Sequence, residues 1–292
     1  MSKALIAGTS VALSSVSRQS RLRQPRTRFR TWLETGLGTS LLQFFAVAMF
    51  FLCWQVAAEL GWISEFLVGK PSGIWARFVT SLMDGSLLVN TGYTLWEAVL
   101  GFVIGTTLGT VMGLSLWYSK WVAQLVGPFI VAINSVPKIA LAPIVLLWFG
   151  TGLISKVVLV VSMTAIVALI AAHQAAKDAD KDLQALMFSM GGNKHQIFFG
   201  VVVPSSLPAI LATFRINVGF GLVGAVVGEF ISSKYGLGHM IYTASSLFDL
   251  NTVWVGLFML MLVGFVLYHA IDALERFALP WRTEGGRVQI QM

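Results

Sequence analysis

Four ionisable residues fall inside strongly apolar runs, and they are the first places to look for chemistry: Glu97, Lys138, Arg215 and Glu229. A charge at membrane depth is costly and faces either the bundle interior or a wet cavity. Each is therefore a candidate for a solute path or for an internal ion pair. Arg215 and Glu229 return to within about 40° of one helix face but stand roughly 21 Å apart along it, too far for direct pairing. For Arg215 two readings stand side by side. One is a cationic lining suited to a small anion; the other is an internal ion pair or a side chain snorkelling to the nearby surface. Lys138 follows Asn134 by four residues and sits next to Pro137, which makes Asn134 and Lys138 pathway candidates together. Glu229 is expected near the outer end of its run, where a charge costs little, and Glu97 is expected to face the membrane interface.

Other chemistries find no constellation. His173, His195, His239 and His269 are scattered without metal-ligand spacing, and the single cysteine, Cys53, supports neither a disulfide framework nor a thiolate metal site. No serine or histidine set assembles an intramembrane nucleophile. The phosphate-binding pattern Gly-x-x-x-x-Gly-Lys-Ser/Thr does not occur, so no nucleotide site of that kind is expected in this chain. No catalytic residue, metal or cofactor is expected, and the chain reads as a transport component rather than an enzyme.

The elements that must position these residues are membrane spans. The 292 residues are 56% hydrophobic and 11% charged, against roughly 25% charged in soluble domains. Apolar runs at about 41–61, 90–117, 121–149, 154–176, 206–231 and 252–277 each reach the roughly 20 residues that a spanning helix needs. The reading is an all-α polytopic protein with six spans. Residues 1–40, rich in arginine, serve as a disordered basic tail, 41–280 as the membrane domain and 281–292 as a second tail. A secretory signal does not fit, because the weakly apolar residues 4–13 precede the arginines. The arginine run reads as a topology anchor touching anionic lipid, with a regulatory role as the other possibility. With the tail inside, Lys120, Lys177, Lys181 and Lys194 join it on the cytoplasmic side, while Lys70, Arg77, Lys156 and Lys234 are outside. That bias places both termini in the cytoplasm and accounts for the net charge of +7 without nucleic acid. Gly101, Gly105, Gly109 and Gly113 recur every four residues, and Gly221, Gly224 and Gly228 crowd the fifth span, so both should pack closely on other helices. Pro137 and Pro143 predict a kink or break in the third span.

Residues 177–204 form the one sizeable polar interruption between late spans. Leu183, Leu186, Met187 and Met190 fall on one face of a short helix, with Asp180 or Asp182 to cap its start and Gly191 and Gly192 to stop it. A helix this short needs a surface, either the membrane interface or another protein.

The segment resembles the cytoplasmic loop of binding-protein-dependent ATP-binding-cassette permeases, whose signature reads Glu-Ala-Ala, three residues, Gly, nine residues, Ile, one residue, Leu-Pro. Pro204 takes the final proline and Gly191 the glycine, with Ala185, Leu186 and Met187 on the triplet and Val201 and Val203 on the Ile and Leu positions. Ala185 stands where the family has Glu. The stretches SVPKIALAPIVLLWFGTG at 135–152 and VVVPSSLPAILATFRINVGFGLVGAVVGEF at 201–230, followed by Gly236-Leu237-Gly238, are similar to the nitrate, sulfonate and taurine branch. The resemblance covers about residues 45–280. It implies a MetI-like importer-permease fold in a bacterial inner membrane and the import of a small solute, an anion such as a sulfonate, taurine or nitrate, with pyrimidine-type vitamin precursors as the other possibility. The implied partners are two ATPase subunits, a second permease copy, an extracytoplasmic solute-binding protein and membrane lipid. By the same resemblance Gln184, Ala185, Leu186, Met187, Gly191, Gly192, His195 and Pro204 form the coupling segment to the ATPase. Asn134, Lys138, Arg215 and Glu229 remain the pathway candidates. An ion-gradient-driven secondary transporter is the alternative; it would be expected to show internal repeats, and none is visible.

Overall fold

The computed structural model describes residues 36–279, which are helical apart from short connections and contain no strand. The tails read over residues 1–40 and 281–292 lie outside this range except for its first residues, which are already helical from Gly36. In chain order the helices are α1 (Gly36–Glu59), α2 (Pro71–Met83), α3 (Ser86–Ser115) with a terminal 3-10 turn (Leu116–Tyr118), α4 (Lys120–Ser135) and α5 (Ala142–Phe149). Then come α6 (Leu153–Lys177), α7 (Lys181–Ser189), α8 (Val203–Ile231), α9 (Leu237–Ser246) and α10 (Leu250–Ala278). Among the described residues five helices are individually long and apolar enough to cross a membrane, and α4 with α5 form a pair bent by 83°, the geometry of a broken span or of a re-entrant loop. Of the six spans read from the sequence, five are continuous helices and the third is this bent pair.

The chain divides into two units, Met1–Val56 and Ala57–Met292. Most of α1 belongs to the first; its Phe44, Phe45 and Phe50 are exposed, as suits a helix that meets lipid. The second unit is organised around α6, which packs against α3 on one side and α8 on another. The α3 contact is as close as backbones allow. A Cβ added at Gly101, Gly105, Gly109 or Gly113 would stand 2.4 Å from Val160 Cβ, 2.0 Å from Thr164 Oγ1, 2.1 Å from the Ala165 carbonyl oxygen and 2.3 Å from that of Leu169. On α8, a Cβ at Gly224 would lie 2.8 Å from the Val160 Cα. Where lipid removes any hydrophobic drive between helices, such proximity supplies the dispersion contacts that hold them together. Asn217, fully buried on α8, adds a hydrogen bond from its amide to the Thr164 carbonyl oxygen at 2.9 Å.

The break between α4 and α5 follows from proline chemistry. Val136 is extended, with φ −71° and ψ 128°, the conformation imposed on a residue preceding proline. Pro137 then starts a 3-10 turn and Pro143 sits in the first turn of α5, where its missing N–H costs nothing. At the start of the fifth span the structure departs from the sequence reading. The helix does not begin near Pro204 but runs from Lys194 to Ile231, with a π-helical stretch over Phe198–Val202. Widening the helix there lets it run on although Pro204 offers no N–H to the preceding turn.

These contacts make the α3–α6 interface intolerant of side chains. Gly109→Leu is expected to destabilise the protein by about 3 kcal/mol, the upper range for overpacking, read as a lowered melting temperature in detergent. Gly127→Ala on α4, where nothing lies within 4 Å of an added Cβ, should leave that temperature unchanged.

Candidate functional site: the ends of the bundle and its internal charges

At one end lies the short helix expected from residues 177–204. Asp180 is its cap: the carboxylate accepts from the backbone N–H of Asp182 and Leu183 at 2.9 and 3.0 Å. Gly191 ends the segment with φ +85°, a left-handed conformation that glycine adopts without strain. The face presented outward is apolar, with Leu183, Leu186, Phe188 and Met190 all exposed and Leu186 at 57%. With Pro204 and the two glycines, Leu183, Leu186 and Met190 line a groove of about 810 Å³.

Met187, Gln184 and His195 of this segment contact the rest of the chain. Met187 lines the same groove but is half-buried, its methyl 3.1 Å from the place a Cβ would take on Gly200, whereas Leu186 is exposed. Gln184 donates to the Ala179 carbonyl oxygen at 3.1 Å, Ala185 is exposed, and His195 is turned toward Tyr118, with Nδ1 2.9 Å from the phenolic oxygen.

At the opposite end the expectations for the two glutamates are corrected. Glu229 is not an inexpensive charge near the surface: it is completely buried, because the loop after α8 folds back over it. Its Oε1 accepts from the Thr94 hydroxyl at 2.7 Å and its Oε2 from the Gly238 N–H at 2.6 Å. Thr94 Oγ1 in turn accepts from the Leu237 N–H at 2.7 Å, and Asn90 Oδ1 accepts from the Gly236 N–H at 2.8 Å. Three consecutive amides at the start of α9 are thus each held by a different side chain, with a carboxylate at the positive end of the helix dipole. The Gly-Leu-Gly sequence follows from this. A Cβ on Gly236 or Gly238 would lie 2.2 or 2.7 Å from the Glu229 carboxylate oxygens, and Gly236 also has φ +116°.

Glu97 does not face the interface; it is 1% exposed and paired with Lys156, Nζ to Oε1 2.8 Å, while Nζ also reaches Ser233 Oγ at 2.7 Å. Lys156, read as an outer-loop cation, lies in the first turn of α6 and is buried. Above this pair opens a cavity of about 610 Å³, with the stacked rings of Tyr93 and Tyr235, 4.9 Å between centroids, among its walls. Outside the spans, Asp84 accepts from the Ser86 N–H at 2.8 Å, and hydrogen bonds from the Ser86 side chain and backbone hold its carboxyl below the usual aspartate value.

The two internal cations proposed for the pathway separate. Arg215 has the ion-pair arrangement: its Nε donates to Glu275 Oε2 at 3.0 Å, Nη2 reaches the same oxygen, and Nη1 lies 3.3 Å from Asp272. It ties α8 to α10. Lys138, in the bend between α4 and α5, is held by Asn134, its Nζ 3.2 Å from the side-chain oxygen and 3.3 Å from the backbone oxygen, and it makes no ion pair among the described residues. Sequence reasoning missed Asn90, Thr94 and Lys156. The visible signals were a polar pair at i and i+4 in an otherwise apolar run, and a lysine a few residues after Gly152.

The captured loop is open to direct measurement. Each amide gives up a hydrogen bond whose loss costs about 1–3 kcal/mol when the group stays buried. Thr94→Val should therefore speed hydrogen exchange at Leu237 roughly 10-fold or more. Equal exchange rates in variant and parent would show that the loop is held by packing alone.

Residues 105–279 match the model of the binding-protein-dependent transport system inner membrane component family. The riboflavin transport system permease protein RibX of Chloroflexus aurantiacus is 34% identical over 250 residues, covering 86% of this chain and 91% of the relative. The formylaminopyrimidine transport permease protein ThiX of Halalkalibacterium halodurans is 32% identical over 80% of this chain and 93% of its own length. The taurine transport system permease protein TauC of Escherichia coli is 26% identical over 82% and 88%. Among solved structures, a chain of the inward-facing MetNI methionine ABC transporter shares the fold, with a TM-score of 0.55, 20% identity and coverage of 63% of this chain and 93% of that one. The chain belongs to the binding-protein-dependent inner membrane components: it is a multi-pass permease subunit of an ATP-binding-cassette importer of small solutes, whose ATP is hydrolysed by a separate chain.

Proposed function

We propose that this permease lies in a bacterial inner membrane with both termini in the cytoplasm. In this reading it pairs with a second permease copy above two ATPase subunits and accepts from an extracytoplasmic binding protein a small solute carrying an anionic group. The observation that carries the coupling part is the apolar ridge of α7. Leu183, Leu186 and Met190 project from a capped, glycine-terminated helix at the end of the bundle that bears the basic connections. Exposed leucines at 183 and 186 on a nine-residue helix, with Met190 at its C-cap, are costly in water and suit insertion into a groove on a partner. Of the coupling candidates, Leu186 serves as the docking residue, whereas Met187 and His195 hold the segment to the permease.

The solute reading rests on Lys138. The relatives named above move chemically different solutes, so they do not choose among them. Arg215 and Lys156 are neutralised by carboxylates of the same chain. Lys138 combines a bend between two helices with an ammonium whose partner among the described residues is the neutral Asn134, an arrangement suited to meeting a passing anion. The ion-gradient-driven alternative is set aside by the family membership.

Two outcomes are expected in proteoliposomes containing ATPase and binding protein. Leu186→Asp buries an unpaired charge in the ATPase contact and should abolish co-purification of the ATPase, a loss of several kcal/mol (about 3–5), while the permease still reaches the membrane. Wild-type amounts of bound ATPase would refute the docking role. Lys138→Met should leave the complex intact and lower uptake about 10-fold, the effect of losing one charge-assisted contact of about 1.5 kcal/mol. Undiminished uptake would remove Lys138 from the pathway.

A further inference from the structure

The coupling segment is joined by the chain to α6 before it and to α8 after it. Helix α3, the third member of the central packing, has no covalent link to that segment; its final 3-10 turn lies 76 and 77 residues away in sequence from the residues it touches. Yet the two are fastened together. Lys194 Nζ donates to the Tyr118 backbone oxygen and lies 5.8 Å from the centroid of the Trp117 ring. Tyr118 Oη and His195 Nδ1 are 2.9 Å apart. Phe198 packs on both aromatic residues, with ring centroids 4.6 Å from Tyr118 and 5.6 Å from Trp117. Met187 of α7 packs against the same buried cluster, which includes Ala179, Ile197 and Val202. The turn carrying Lys194 and His195 is itself fixed by a capping box, Asn193 Oδ1 accepting from the Gln196 N–H and Gln196 Oε1 from the Asn193 N–H. A cation held at once by a terminal carbonyl and an aromatic face, beside a hydroxyl–imidazole contact, is a directional clasp rather than incidental packing.

We propose that Tyr118, Lys194 and His195 are positioning residues for energy coupling: they fasten the ATPase-facing segment to the end of α3, so that a displacement of α7 moves the α3–α6 pair together with α8. This rests on the coupling role given to α7 above. Coupling between distant sites requires a continuous physical connection. Without the clasp, α7 can still bind and follow the ATPase, but the end of α3 is no longer held to the moving segment and receives the displacement only indirectly, through its packing on α6. The transport defect then arises after ATPase binding and leaves hydrolysis running.

The test uses the full complex in proteoliposomes with binding protein and taurine as the probe solute, or the solute of the neighbouring binding protein where taurine is not carried. It compares Tyr118→Phe, Lys194→Met, Lys194→Arg and Leu186→Asp. Tyr118→Phe removes a single oxygen from a half-exposed residue, so folding is retained and the result can be read from that variant alone. Tyr118→Phe and Lys194→Met are expected to co-purify with the ATPase at parental levels and to keep hydrolysing ATP. The ATP consumed per solute imported should rise roughly tenfold, the effect of losing one or two hydrogen bonds from the connection. Lys194→Arg, which keeps both the donor and the cation over the ring, should restore the parental ratio. An unchanged ratio in Tyr118→Phe and Lys194→Met overturns the clasp, as does a fall in hydrolysis and uptake by equal factors. Failure of the coupling role itself shows separately, as retention of the ATPase by Leu186→Asp.

Discussion

The row of glycines on the face of α3 that meets α6 is the constraint on which the rest of this structure depends. Four glycines spaced by four residues bring two helix backbones to a distance at which a single Cβ would overlap an atom of the other helix. That approach sets the height of Thr94 and Glu97 relative to Lys156, and so decides whether a buried carboxylate meets a buried ammonium. It equally sets where the end of α3 stands relative to the segment after α7. In water such a contact would be one among many; in lipid, which competes for apolar surface as well as protein does, close packing and a few buried polar bonds have to specify the arrangement.

The internal charges divide by what they bind. Glu97, Lys156, Glu229 and Arg215 are committed to partners in their own chain, and each commitment joins two elements: α3 to α6, α8 to α9, α8 to α10. Removing one member of such a pair leaves the other without compensation, which is why buried pairs are costly to break even where their net contribution is small. Lys138 is the exception. Its place beside Pro137, in the bend between α4 and α5, puts it where helical hydrogen bonding is incomplete.

Much of this was legible in the sequence because the relevant signals are local. The span lengths, the glycine period, the proline break and the cap and stop of α7 depend on residues within a few positions of one another, and Asp180, Gly191 and Pro137 act as their chemistry dictates. The partners of the charges were not legible. Glu97 and Lys156 are separated by 59 residues and Thr94 and Glu229 by 135; nothing in an apolar run distinguishes a glutamate that faces lipid headgroups from one that meets a lysine on the next helix. Glu229 looked inexpensive because it stands at the end of its run, and only the return of residues 232–238 over it reveals its burial. The start of the fifth span was misplaced for a related reason: FFGVV reads the same as loop or as π helix, and the helix continues because Asn193 and Gln196 cap it earlier than the proline suggests.

The loop at the start of α9 has a mechanical meaning beyond its stability. Its three amides find acceptors on two helices, α3 through Asn90 and Thr94 and α8 through Glu229. If α3 and α8 slide past each other by even a fraction of a helical turn, at least one of these donors loses its acceptor while still enclosed. Hydrogen bonds weaken steeply with distance and angle, so intermediate positions are the least favourable ones. The arrangement therefore works like a detent: it resists small displacements, yields to large ones, and makes the relative position of the two helices a choice between discrete settings rather than a continuous adjustment.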